Sequence, residues 1–241
     1  VCFKFDDADN ELLNNISFDI TQGETIAIVG KTGCGKSTIV HILERMLEYT
    51  SGSILIDGVE LKDIDKKWLR NHIGIVLQDP FLYNKNILEN VRISSPNKTI
   101  DDVYQATKMA HVHSDILNFD KKYETLVGEK GVTLSGGQKQ RLAIARAIAR
   151  DPEIYIFDDS FSALDYKTDL ALRQELKKYT KDATSLIVAQ RIGTIIHADK
   201  IVVLDKGECV GIGTHKELLK KCKVYKEIAL SQLSKEELEN A

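Results

Sequence analysis

Long apolar runs, paired cysteines and a strong charge of either sign are all missing from this 241-residue chain. No stretch of about 18 consecutive apolar residues occurs, so no transmembrane helix is expected within it. No N-terminal signal peptide is recognisable. The formal net charge is only −3, which argues against nucleic acid as a bulk electrostatic partner. The four cysteines, Cys2, Cys34, Cys209 and Cys222, form no C-x-x-C pair and no evident metal set. Free thiols in a reducing cytosol are the expectation. There is no internal repeat and no low-complexity segment. The chain opens at Val1 without a methionine, directly in a strand-like pattern, which fits a piece of a longer polypeptide.

What is present is an ordinary globular composition, 43% hydrophobic and 29% charged. A chain of this length buries roughly 70–75% of its unfolded surface, so a substantial core is expected. One stretch organises the rest. Gly30-Lys31-Thr32-Gly33-Cys34-Gly35-Lys36-Ser37-Thr38 fits the phosphate-loop pattern G-x-x-x-x-G-K-[ST]. The apolar run Glu24–Val29 before it reads as a buried strand, and Ile39–Leu47 after it has helical spacing. Strand, glycine turn and helix are the context that the motif requires. Glycines let the backbone wrap a phosphate, and the turned N–H groups at a helix N-terminus form an anion nest. Lys36 then reaches the β- and γ-phosphates as a point charge, and the Ser37 hydroxyl ligates Mg²⁺.

Elsewhere, period-two alternation over Val1–Phe5 and Ile16–Ile20 reads as half-buried antiparallel strands. Phe5 is there either an inward strand residue or an aromatic available to stack on a base. Ile73–Leu77 is an apolar strand, and Gln78 at its end points to the crevice where parallel sheets bind ligands. The stretch from about Asn86 to Arg150 is mostly helical, with a capping box at Thr99–Asp102. Ser135-Gly136-Gly137 opens a strong helix that Pro152 stops, a second ready-made anion site. Ile154–Asp159 is a buried strand ending in two carboxylates, and Asp158 is placed to position Mg²⁺. Ser185–Ala189 is a strand that ends at Gln190. Lys200–Leu204 and Glu208–Gly211 flank a hairpin turn, Thr214–Glu217 caps a last helix, and the tail from Ser234 to Ala241 is polar.

Taken together these residues resemble the nucleotide-binding domain of an ATP-binding cassette (ABC) transporter, over about Val1 to Leu230. The most specific element is Leu134-Ser135-Gly136-Gly137-Gln138, which matches the family's LSGGQ signature. Thr125–Gly131 is similar to the stretch by which exporters touch their membrane domain. The resemblance implies an α/β fold of the P-loop NTPase class: a mostly parallel core sheet, an antiparallel β subdomain and a helical signature subdomain. It implies one ATP-binding domain over 1–241, with a core at about 1–78 and 151–230, a helical part at about 79–150 and a tail at 231–241. It makes Phe5 the adenine-stacking aromatic, Gly30 to Thr38 the Walker A loop, Gln78 a contact to Mg²⁺ and Asp158 the Walker B aspartate. Ser162-Ala163-Leu164-Asp165 matches the D-loop. ATP and Mg²⁺ are the implied cofactors. Two such domains meet head to tail, so Ser135, Gly136, Gly137 and Gln138 serve the partner domain's ATP. The other implied partners are transmembrane domains, N-terminal in the same polypeptide or on another chain. The implied location is the cytoplasmic face of a membrane, and no nucleic acid is expected.

Two departures from the family pattern stand out. The residue after the Walker B aspartate is usually Glu, the base that orients the attacking water, and here it is Asp159. The residue after the Leu-Ile-Val-Ala strand is usually His, and here it is Gln190. Gln can hydrogen-bond a phosphate but cannot become cationic. The pair resembles the slow half of heterodimeric exporters; a homodimer that tolerates both changes is the alternative. A soluble family member acting on nucleic acid or ribosomes is the other alternative. The DNA-repair versions of that kind carry coiled-coil insertions, and this chain has none. The transported substrate is not encoded in this stretch.

Overall fold

The computed structural model describes residues 1–128, 133–180 and 182–233. In chain order the strands and α-helices are β1 (Thr25–Gly30), α1 (Lys36–Leu43), β2 (Leu55–Ile56), β3 (Val59–Glu60), α2 (Lys66–His72), β4 (Ile73–Val76), α3 (Ile87–Arg92), α4 (Ile100–Met109), α5 (His113–Leu117) and α6 (Gly136–Arg150). They continue with β5 (Ile154–Asp158), α7 (Tyr166–Tyr179), β6 (Thr184–Val188), α8 (Ile192–Ile195), β7 (Lys200–Asp205), β8 (Glu208–Gly213), α9 (His215–Lys221) and α10 (Lys223–Gln232). The chain divides into two compact units, Val1–Ile73 with Thr184–Ala241, and Gly74–Ala183.

In the first unit β1 lies between β6 and β7, parallel to both, with Ala27 opposite Ile187 on one side and Ile201 on the other. Ile26, Ala27, Ile28 and Val29 are fully buried. A parallel strand covered on both faces is uniformly apolar, which is why this run lacks alternation. β8 pairs antiparallel with β7, completing the predicted hairpin. Ile192, Ile195, Tyr225 and Ala229 join Ala27, Val29, Ile201 and Val203 in one buried cluster, which docks α8 and α10 on the strands. β2 and β3 form a separate antiparallel pair, turned through Asp57 and Gly58, both at positive φ. That is the backbone of a two-residue hairpin turn.

The N-terminal strands expected over residues 1–20 do not form. Cys2 bridges Ser51 and Phe3 bridges Leu13, each singly. The amides of Asn14 and Ile16 donate to Gly207 and Val1. The alternating pattern is real, but its hydrogen bonds are divided among four separate segments, so no ladder propagates.

In the second unit β4 and β5 are neighbours. The Ser160 hydroxyl donates to the Val76 carbonyl at 2.6 Å and ties their ends together. α6 packs against α3 and α4. Ser135 and Gln138 form a full capping box at its start, as Thr99 and Asp102 do for α4. α6 stops at Asp151, in the left-handed conformation at φ 57°, immediately before Pro152. Among the described residues no helix is long and apolar enough to cross a membrane. The end of the Thr125–Gly131 stretch (129–131) and the tail at 234–241 lie outside the described residues.

Candidate functional site

The phosphate loop runs from the C-terminal end of β1 into α1. Lys31, Thr32 and Gly33 form its exposed tip, while Cys34, Gly35, Lys36 and Thr38 are buried and Ser37 is partly so. Two glycines are dictated by geometry. A Cβ on Gly30 would lie 2.3 Å from the Leu204 carbonyl oxygen and 2.6 Å from Cys34 Sγ. Gly35 caps α1 at φ 98°, and a Cβ there would lie 2.4 Å from Leu13 Cδ2. No side chain caps α1, so its first-turn N–H groups are offered to whatever sits in the loop. The Lys36 ammonium, only 7% exposed, donates to the carbonyls of Gly30 at 2.8 Å and Lys31 at 3.0 Å. Cys34 Sγ lies 3.9 Å from the same ammonium. Burial pushes the Cys34 thiol up, against the lowering pull of Lys36, so it stays a neutral packing group.

Phe5 belongs to the same unit. It is 42% exposed and packs edge-to-face on buried Phe3 at 4.8 Å. The Phe3 backbone pairs with Leu13, against which Gly35 is packed. Phe5 is therefore not an inward strand residue but an exposed ring tethered through Phe3 and Leu13 to the phosphate loop. Gln190, also in this unit, is exposed just beyond β6. Its carbonyl accepts from Gln232 Nε2 at 2.8 Å, and Gln232 Oε1 accepts from the Ile192 N–H at 2.8 Å.

The second unit holds the other candidates. Gln78 is exposed, and its carbonyl accepts a hydrogen bond from Gln140 Nε2. Gln140 is buried on α6, five positions beyond Ser135, so the start of the signature helix and the Gln78 backbone are joined by one amide. Asp158 ends β5 at 4% exposure, and Asp159 follows at 8%. Asp159 has φ 45°, a left-handed seat that short polar side chains tolerate better than most. Its carbonyl accepts from the Ser162 hydroxyl at 2.8 Å. Ser135 and Gly136 are exposed. Ser135 Oγ accepts from the Gln138 amide at 3.2 Å, and Gln138 Oε1 accepts from the Ser135 amide at 3.0 Å, so the Gln138 side chain is committed to the cap. A Cβ on Gly137 would meet the Ala163 carbonyl and Leu164 Cδ2, each at 3.4 Å, so the signature packs on the Ser162–Asp165 loop.

The first unit thus brings together Phe5, Gly30 to Thr38 and Gln190; the second holds Gln78, Ser135 to Gln138, Asp158 and Asp159. Sequence reasoning missed two residues. Gln140 carried a signal, a polar side chain on the apolar face of α6 four residues before Ile144. Gln232 carried none, since its partners lie about 40 positions away. Chemically, a buried ammonium, an uncapped helix start and glycines that admit no Cβ fit a polyphosphate. Ser37, Gln78 and Asp158 supply the hard oxygen ligands that Mg²⁺ takes.

Comparison with known proteins bears on this arrangement. The family model described as ABC transporter matches residues 13–162. The ATP-binding/permease protein YgaD of Bacillus subtilis (strain 168), named for multidrug export, is 43% identical over 228 residues, 95% of this chain and 39% of that protein. A like-named protein of Staphylococcus aureus (strain NCTC 8325 / PS 47) is 45% identical over the same shares. The solved structure of a bacterial Atm1-family ABC exporter with ATP bound superposes with a TM-score of 0.93 at 37% identity, covering 98% of this chain and 41% of that one. The chain therefore spans about two fifths of the length of the relatives it matches.

Proposed function

This chain belongs to the ABC transporter family, and we propose that it is the domain that binds and hydrolyses ATP to power an exporter. The observation that carries the proposal is the phosphate loop: the buried Lys36 ammonium at the head of an uncapped helix, in a turn whose glycines admit no side chain. The backbone from Lys31 to Gly35 cradles the phosphates, Lys36 binds the β- and γ-oxygens, and Thr38 closes the first turn of α1. Phe5 stacks on the adenine, for which its exposed ring is available. Ser37, Gln78 and Asp158 hold Mg²⁺. When bound, the ion neutralises charge on the phosphates. Asp159 orients the attacking water, and Gln190 donates a hydrogen bond to the γ-phosphate.

In this reading the domain closes head to tail on a second nucleotide-binding domain. Ser135, Gly136, Gly137 and Gln138 face that partner's ATP. The membrane-spanning part belongs to the same polypeptide or to a partner chain, and the domain works at the cytoplasmic face. The names of the relatives, ATP-binding/permease proteins, support a fused arrangement. Asp159 and Gln190 make this chain's own Walker site the slow one of a heterodimer.

The test is Lys36→Met in the complete transport protein, reconstituted in vesicles. Loss of nucleotide binding, and a fall in Mg-ATP turnover of at least about a hundredfold at this site, are expected from removing a preorganised phosphate contact. Unchanged ATP affinity would overturn the phosphate-loop assignment. ATP turnover uncoupled from any movement of solute across the vesicle would overturn the exporter.

A further inference from the structure

We propose that Gln232, at the end of α10, is a positioning residue that sets the seat of Gln190; the proposal rests on the reading of Gln190 as the γ-phosphate contact. The turn that carries Gln190 has little to hold it locally. Ala189 still donates to the Ile28 carbonyl at 3.1 Å, but beyond it the chain leaves β1 and enters α8, a helix of four residues. The residue before that helix, Arg191, makes no side-chain cap. A helix start leaves backbone N–H groups without intrahelical partners. The Ile192 N–H, the first of these, is satisfied from outside by Gln232 Oε1 at 2.8 Å.

The same amide makes a second bond. Gln232 Nε2 donates to the carbonyl of Gln190 itself at 2.8 Å. One planar group therefore accepts from residue 192 and donates to residue 190, bracketing the turn. The amide's orientation is fixed by this pair, because only its oxygen can accept and only its nitrogen can donate. The bracket is anchored in turn. Tyr225 and Ala229 of α10 are fully buried in the cluster that contains Ala189, Ile192 and Ile195. Gln232 itself is exposed. Truncating it removes the two bonds without opening the core. The C-terminal helix thus acts on the switch residue through a surface side chain.

The experiment uses the complete transport protein with Gln232→Ala, Gln232→Glu, Gln190→Ala and the double alanine variant. Three readouts are taken: melting temperature, Mg-ATP turnover, and amide hydrogen exchange over residues 189–196. Exchange at Ile192 is expected to rise about tenfold in Gln232→Ala, since a local opening becomes easier. Turnover is expected to fall about tenfold with KM little changed, because a small misplacement of a reacting contact is costly. In the Gln190→Ala background the same change should matter by less than about twofold, the signature of two residues acting as a unit. Gln232→Glu keeps the acceptor for Ile192 and sets a carboxylate against the Gln190 carbonyl, so it should be as slow as the alanine variant.

Unchanged exchange at Ile192 overturns the bracket. Equal slowing in both backgrounds, or full turnover in Gln232→Glu, overturns the positioning of Gln190. If Gln190→Ala is as fast as the parent, Gln190 makes no γ-phosphate contact and the positioning claim falls with it. If the parent neither binds nor hydrolyses ATP, the functional reading fails, and exchange at Ile192 still decides the bracket.

Discussion

Restoring glutamate at position 159 and histidine at position 190 should accelerate this domain's own site, and the geometry sets how far. Asp is one methylene shorter than Glu, which leaves its carboxylate about 1 Å or more short of a water that Glu would reach. A misplacement of that size costs about a hundredfold in rate, or about 2.7 kcal/mol in the barrier. Stability opposes the exchange. Asp159 sits at φ 45°, where a longer side chain costs about 1 kcal/mol. It is also only 8% exposed, so the extra methylene adds an overpacking cost of about 1–3 kcal/mol. These costs fall on the folded state, whereas the gain falls on the transition state, so Asp159→Glu should melt earlier and turn over faster. Gln190 is exposed, and Gln190→His adds a group able to carry charge at little packing cost. The assay is phosphate release from Mg-ATP by the paired transport protein, with nucleotide affinity measured alongside. The double variant should gain about thirty- to a hundredfold in rate with affinity unchanged. A folded, correctly paired double variant with no gain would refute the reasoning. So would a parent already turning over at about 1 per second or faster, within the ordinary enzyme range.

Two further outcomes follow from buried groups. Gln140→Leu removes the donor to the Gln78 carbonyl together with a buried side-chain oxygen that has no hydrogen-bond partner. The two effects oppose each other, so stability should move by less than about 1 kcal/mol. Turnover should nevertheless fall about tenfold as Gln78 loses its tether; a melting curve and a phosphate-release assay on one preparation check both halves, and an unimpaired rate rejects the tether. His215 is buried, donates to or accepts from the Tyr225 hydroxyl at 2.6 Å, and burial holds its imidazole below the ordinary value of 6.5. With its folded pKa depressed, the unfolded chain takes up the proton first. The contribution is then complete above about pH 6.5 and is lost as pH falls towards the lower folded value. Urea midpoints measured from pH 7.5 to 5.5 should decline, and His215→Phe should flatten the decline; an equal slope in both proteins would exclude His215 as its source.

How much could be read beforehand depended on the range of the interactions. The phosphate loop was readable because strand, glycine turn and helix are contiguous, and the steric demand at Gly30 and Gly35 is met within one short segment and its immediate neighbours. The capping boxes at Thr99, Ser135 and Thr214 each satisfy themselves over three residues. The same logic made a third box available at Asn86 and Glu89, which the helical pattern alone did not single out. Where partners are distant, local pattern misled or was silent. Alternation over residues 1–20 implied strands, yet the bonds of that segment go to Ser51, Leu13, Gly207 and Val1. Period two also placed Phe3 and Phe5 on one inward face. In the structure Phe3 is 4% exposed and Phe5 42%, because the chain turns away at Asp6 and leaves the second ring lying over the first.

The residues that could not be read share a property. Gln140 and Gln232 both use a side-chain amide to hold a backbone carbonyl of a residue whose own side chain is the chemically suggestive one, Gln78 in one unit and Gln190 in the other. A motif identifies the side chain that meets the ligand, because its chemistry must be of a given type. It does not identify what fixes that residue's backbone, because any donor at the right place would serve. Catalysis by positioning makes the second kind of residue consequential, since phosphoryl transfer leaves the protein little covalent chemistry to do and rests on geometry. The slow-site reading turns on this distinction. Asp159 and Gln190 retain hydrogen-bonding chemistry, and what they lack is reach and charge. A site that keeps its phosphate loop and its backbone tethers while shortening the one and neutralising the other should hold ATP well and cleave it slowly. Affinity and turnover should then separate, and measuring both in one protein distinguishes a slow site from one that has lost its ligand.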